Sequence, residues 1–175
     1  MNEPTDRIPT EIKSFFGKEY YLLNRGINIQ HGKATSILSA MFVRDVMTQE
    51  VVTIPQEMPF KKILEIVSYS RHLYYPVVDR EGDMVGIISF SDIRDTAQKE
   101  GMEETALARD LATPDVVTLK PNHNLNEALA KFSELDVEQI PVVKVGDSKK
   151  VVGLLRRSDV QAVYNREILI NELKT

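Results

Sequence analysis

The chain repeats itself, and that limits its fold more than any other feature. Arg44-Asp45-Val46-Met47-Thr48 returns as Arg109-Asp110-Leu111-Ala112-Thr113, 65 positions later. At the same offset Val51-Val52-Thr53-Ile54 matches Val116-Val117-Thr118-Leu119, and Pro76-Val77-Val78 matches Pro141-Val142-Val143. A two-residue insertion then moves the offset to 67, aligning Val85-Gly86 with Val152-Gly153 and Ser91-Asp92 with Ser158-Asp159. Matches that keep their order mark two copies of one supersecondary unit.

Each copy reads the same way. Val51–Ile54 is a β-branched run closed by Pro55, a strand signal. Phe60, Ile63, Leu64 and Val67 then follow helical spacing, as do Leu125, Ala128, Leu129 and Phe132 in the second copy. Tyr75–Val78 and Val85–Ile88 are two short apolar strands around the turn residues 79–83. A last helix is expected to open near Ser91-Asp92, with Ser91 as cap and Asp92 at the positive end of the dipole. Its partner opens near Ser158-Asp159 and sets Val160, Val163, Tyr164 and Ile168 on one face. The fold class is α/β, two β-α-β-β-α units. A unit of roughly 60 residues is marginal alone, so the copies are expected to pack face to face about a pseudo-two-fold axis and share a core.

Composition removes other classes. The 175 residues are 42% hydrophobic and 27% charged, ordinary for a globular chain. The net charge of −4 gives no basic excess for nucleic acid. Cysteine is absent, which excludes disulfides, thiolate metal sites and a thiol nucleophile. There is no apolar run long enough to span a membrane, and the N-terminus lacks the pattern of a signal peptide. These features predict a soluble, intracellular chain.

Val46-Met47-Thr48, the strand Tyr75-Pro76-Val77-Val78-Asp79 and Gly86-Ile87-Ile88-Ser89-Phe90-Ser91-Asp92 resemble a CBS domain. The second copy, ending Gly153-Leu154-Leu155-Arg156-Arg157-Ser158-Asp159, resembles another. The resemblance implies a tandem CBS pair, or Bateman module: repeat 1 over 43–100, repeat 2 over 108–165, and a helix end over 166–175. Such modules are regulatory, commonly bind adenine nucleotides between the repeats, and often dimerise. Residues 1–42 form a lead-in. Within it Leu23-Asn24-Arg25-Gly26-Ile27-Asn28-Ile29, then Gly32-Lys33 and Ser36-Ile37-Leu38, resemble the linker between membrane domain and CBS pair in prokaryotic ClC-type chloride channels and transporters. That resemblance implies a chloride-conducting membrane domain as partner and a place on the cytoplasmic side of the membrane.

Two clefts follow from the pseudo-symmetry. The first would join Ser89, Ser91 and Asp92 to Thr118, Val137, Glu138 and Pro141. There Asp92 would accept from ribose hydroxyls, Ser89 would reach ribose or phosphate, and Val137 would pack the base. Capping alone is the competing role for Ser91 and Asp92. The second cleft would join Thr53, His72, Leu73 and Pro76 to Leu154, Arg156, Ser158 and Asp159. Arg156 departs from the family pattern, which has Ser or Thr there; it would either clamp a phosphate or fill the cleft.

Other groupings point to no chemistry. Asp79, Glu81 and Asp83 lack the further ligands of a cation cage and read as a solvated turn. His31, His72 and His123 have no metal-like spacing, and Lys149-Lys150 with Arg156-Arg157 read as solvated charge. Neither a glycine-flanked nucleophile nor a phosphate loop is present, so no catalysis, metal or required cofactor is expected. The sequence therefore favours a regulatory sensor of ATP, ADP or AMP. The alternatives are a ligand-free dimerisation module and a free-standing regulator of another transporter or enzyme.

Overall fold

In the computed structural model, residues 37–173 are described. The lead-in motif at Leu23–Ile29 and Gly32-Lys33, together with His31, lies outside them, as does the side chain of Ile168. Repeat 1 supplies β1 (Ile54–Pro55), α1 (Phe60–Tyr69), β2 (Tyr74–Val78), β3 (Met84–Ser89) and α2 (Phe90–Ala97). Two single turns, α3 (Met102–Thr105) and α4 (Ala108–Leu111), lead into repeat 2. Repeat 2 supplies α5 (Leu125–Leu135), β4 (Gln139–Lys144), β5 (Asp147–Arg156) and α6 (Arg157–Leu173). The α/β class and the pairing of two units are as the repeats imply, except that the first strand expected in repeat 2 is reduced to a single bridge at Leu119.

The first strand is shorter than its β-branched run suggests. β1 pairs in parallel with β2 only at Ile54↔Val77 and Pro55↔Val78. One step back the partner of Thr53 would be Pro76, which has no N–H to donate. Repeat 2 shows the same limit: Leu119 bridges Val142 in parallel, and Pro141 stops the ladder. β2 and β3 then run antiparallel, with Tyr75 opposite Ile88, as β4 and β5 do with Ile140 opposite Leu155. Alternation turns Tyr75, Val77 and Ile88 onto Phe60, Ile63 and Ile93. In repeat 2 it turns Ile140, Val142 and Leu155 onto Leu125, Phe132, Val160 and Tyr164.

The cores are two, not the single shared one expected, and each is completed by the lead-in of the other repeat. Ala106, just before repeat 2, and Ala108, its first residue, are buried in the core of repeat 1. Leu38, before repeat 1, and Val43, its first residue, are buried in the core of repeat 2. Leu38 is thus part of the packed fold, although the sequence placed it in the lead-in. Backbone bonds fix this exchange twice with the same geometry. Phe60 N–H donates to Ala106 O and Ala108 N–H to Met58 O, both at 2.9 Å. Leu125 N–H to Met41 O and Val43 N–H to His123 O repeat them at 2.9 Å. Further on, Thr113 and Ile87 exchange two bonds of 2.9 and 3.0 Å, and Thr48 and Leu154 exchange two of 2.9 Å.

A polar clasp adds to the exchange and corrects the reading of residues 79–83 and Lys149-Lys150 as separate solvated groups. Asp79 Oδ1 accepts from Glu81 N–H at 3.0 Å and Asp83 N–H at 2.8 Å, which shapes the turn. Lys150 Nζ of repeat 2 then lies 2.7 Å from Asp83 Oδ1 and also donates to the Glu81 carbonyl. This hydrogen bond holds the Asp83 carboxyl below its ordinary range and the Lys150 ammonium above its own.

Close approach explains the paired glycines. A Cβ at Gly86 would sit 2.9 Å from both Thr113 O and Ala112 Cβ; one at Gly153 would sit 2.8 Å from Thr48 O and Met47 Sδ. A backbone residue held by two ladder bonds, one through its N–H and one through its carbonyl, has little room to retreat. Gly86→Ala and Gly153→Ala should each lower unfolding free energy by about 1–3 kcal/mol, read as a lower urea midpoint. A control Gly101→Ala has open space at its Cβ, although its φ of 78° adds a backbone cost of its own.

Candidate functional site

A cavity of about 270 Å³ lies where the exchange brings the repeats together. That is near the lower end of the range of roughly 300–1,000 Å³ typical of small-molecule sites. Tyr74 and Ile87 of repeat 1 form one wall. Thr113, Pro114, Asp115, Val116 and Val117, the entry to repeat 2, form the second. Leu135, Val137, Gln139, Ile140 and Pro141 close the third. The Thr113–Ile87 pairing sets the first wall against the second. Asp115 turns the chain between them at φ 55°, a left-handed conformation that Asp tolerates better than most residues.

Of the first-cleft residues read from the sequence, Val137 and Pro141 line this cavity. Thr118, half-buried, follows its last wall residue on that segment. Glu138 points elsewhere: its carboxylate is 3.6 Å from Arg157 Nη1, and its carbonyl accepts from Arg157 N–H at 2.9 Å. Arg157 also donates to Phe132 O at 2.5 Å, satisfying a carbonyl in the last turn of α5. Its side chain is 16% exposed, so the Arg156-Arg157 pair is not the solvated charge the sequence suggested.

Ser89 and Asp92 stand at the end of β3, two and five residues beyond Ile87, and are not among the wall residues. They form a reciprocal cap. Ser89 N–H and Oγ–H donate to Asp92 Oδ2 at 2.8 and 2.6 Å, and Asp92 N–H donates to Ser89 Oγ at 3.2 Å. The cap of α2 is therefore Ser89, and the helix starts at Phe90 rather than Ser91. Ser91 is exposed, with its Oγ 2.8 Å from Ser89 Oγ. Asp92 Oδ1 takes no part in the box. Side chains two apart on a strand share a face, so Ser89 leaves β3 on the side of Ile87.

The second cleft is built differently. Arg156 occupies the place of Ser89 and carries no acceptor, so it cannot cap α6 as Ser89 caps α2. Its Nε and the Nδ1 of His72 are buried without a hydrogen-bond partner among the described residues. The His72 carbonyl accepts from Tyr75 Oη at 2.8 Å, and their rings meet edge to face at 6.5 Å. Pro76 and Leu154 are buried, Arg156 and Asp159 half-buried, and Thr53, Leu73 and Ser158 exposed. Among the described residues no group of three or more His, Asp or Glu could hold a metal ion, and no helix is long and apolar enough to cross a membrane.

Sequence reasoning missed Tyr74, Ile87, Thr113–Val117, Leu135, Gln139 and Ile140 as wall residues. Thr113, Val116 and Val117 had all stood in the repeat alignment, Val116 and Val117 as the match of a strand run and Thr113 as the end of the Arg109–Thr113 echo. Only the exchange of lead-ins makes them a wall.

A β-α-β-β-α unit and a second copy whose first strand is reduced to the Leu119 bridge complete each other and line a cavity, which defines a tandem-module protein. The chain belongs to the CBS domain family, which matches residues 43–99 and 108–165. Among similar proteins is a homoserine O-acetyltransferase of Methanohalobium evestigatum, 24% identical over 153 residues, which make up 86% of this chain and 29% of that protein. The chain thus spans less than a third of the length of that relative. Solved structures with the same fold include the CBS domain of a bacterial CNNM/CorC family Mg2+ transporter in complex with ATP, at TM-score 0.66 and 21% identity. That match covers 81% of this chain and 95% of the other. CBSX2 in complex with AMP has TM-score 0.62 and 23% identity, over 72% of this chain and 97% of that one.

The cap makes separate claims on the two serines. Ser89→Ala should cost about 1 kcal/mol of stability, whereas Ser91→Ala should stay within about 0.5 kcal/mol of wild type. Chemical denaturation of the two variants checks both.

Proposed function

We propose that this chain is a regulatory CBS pair whose inter-repeat cavity takes an adenine nucleotide. One observation carries the reading: the cavity has walls from both repeats, and one of them is Ile87, which lies within the complete Gly86-x-x-Ser89-x-x-Asp92 sequence. The base would lie among Ile87, Val116, Val137 and Pro141. Ribose and phosphate would extend toward Ser89, Ser91 and Asp92, where Asp92 Oδ1 accepts from sugar hydroxyls and the first N–H groups of α2 face the anion. The solved relatives held ATP and AMP, which supports the ligand class. The second cleft, with Arg156 in place of Ser89, would take a phosphate only by a different arrangement, through the guanidinium.

A ligand touching both repeats shifts the equilibrium between their arrangements by its differential affinity, typically about 1–3 kcal/mol of coupling. That magnitude suits modulation of an attached partner. The resemblance of the lead-in favours a chloride-conducting membrane domain reached from the cytoplasmic side. The ATP-bound relative is instead a Mg2+ transporter domain. A homodimer would pass the change between subunits. The reading as a ligand-free dimerisation module draws on one observation, the engagement of Asp92 with Ser89.

Thermal melts separate these readings. A nucleotide present at 100 times its dissociation constant should add about 2.7 kcal/mol of stability, and Asp92→Ala should reduce that gain sharply. No shift with millimolar ATP, ADP or AMP would sink the sensor. A shift that survives Asp92→Ala would move the ligand to another cleft.

A further inference from the structure

Gln139 is 7% exposed, and its Oε1 is buried with no hydrogen-bond partner among the described residues. Strand alternation turns it away from the core face that Ile140 and Val142 supply, and it lines the inter-repeat cavity. Buried acceptors are nearly always paired in native proteins, and one left alone is destabilising. Such a group beside a cavity points to a ligand that brings a donor.

The surroundings narrow which donor that is. Phosphate oxygens only accept, so an adenine nucleotide offers Gln139 either the exocyclic amino group or the ribose hydroxyls. The cavity that Gln139 lines is otherwise mostly apolar or aromatic, with Ile87, Val116, Val137 and Tyr74 among its walls and Thr113 and Asp115 as its polar members. Apolar and aromatic walls suit a flat base and not a polyhydroxylated sugar. An amide there also sets an N–H donor beside its acceptor, the two-point pairing by which glutamine reads an adenine edge.

We infer that Gln139 is a specificity-determining residue, its Oε1 accepting from the exocyclic amino group of a purine held between the repeats. The inference rests on the nucleotide reading above and adds to it what selects the base. The matching position of repeat 1 holds Tyr74, which has no amide and lines the same cavity, so Gln139 is the one of the pair that can offer an acceptor and a donor side by side.

The test is calorimetric titration of wild type and Gln139→Leu with AMP and with purine riboside 5′-monophosphate, which lacks only the amino group. Wild type should bind AMP about tenfold more tightly than the deaminated nucleotide. The variant should bind both alike, and without ligand it should melt no lower than wild type, since it buries no lone acceptor. Gln139→Met repeats the comparison should the leucine variant not fold. Equal affinities in wild type, or a variant that keeps the wild-type ratio, would overturn the inference and leave the nucleotide reading intact. Both variants melting well below wild type without ligand would assign the amide a structural role and overturn it too. Binding of neither nucleotide to wild type would overturn both readings.

Discussion

Everything in this molecule depends on two lead-ins that cross over. A single β-α-β-β-α unit of this size buries too little surface to be secure alone. Here each unit lends a short segment to its twin: Leu38 and Val43 go to the core of repeat 2, Ala106 and Ala108 to that of repeat 1. The segments then add a bridge to the far strand, Thr48 on Leu154 and Thr113 on Ile87. Glycine stands beside each bridge because a side chain there would meet the backbone of the incoming segment. The Val-Met-Thr and Leu-Ala-Thr sequences that first revealed the repeat are these crossing segments.

The same exchange makes the cavity. Thr113–Val117 enters repeat 2 along β3 of repeat 1, so a segment that would otherwise be a connection becomes a wall. Pseudo-symmetry would make a second cleft equal to the first, but three substitutions break it. Arg156 stands where Ser89 caps α2, Arg157 where Phe90 opens it, and Gln139 where repeat 1 has Tyr74. One cleft therefore adjoins a capping box and a buried amide, while the other holds a guanidinium and an imidazole. Repetition built the scaffold, and departures from repetition give each cleft its own chemistry.

How much of this was legible in the sequence depends on the range of the interaction. Helical spacing marked Phe60, Ile63 and Val67, and alternation marked the strands, because both patterns are local. The pairing of the two units followed from the repeat. The cap was misplaced by two residues because Ser89 and Ser91 are equally good caps in isolation; the end of β3 decides between them. Glu138 looked like a cavity residue until Arg157 was seen to hold it. Lys150 and Asp83 looked solvated because they are far apart in sequence and meet only across the repeats. Gln139 carried no signal, since an amide in a strand is unremarkable until its burial beside a cavity is known.

The proposed ligand site is the junction made by the crossing lead-ins. Two-dimensional amide NMR during titration with AMP tests it most directly. The largest shifts are expected at Val116, Val117, Val137 and Gln139, with Ile87 following because Thr113 is bonded to it. Shifts confined to Thr48–Val52, His72 and Arg156, or scattered over the exposed surface, would contradict it.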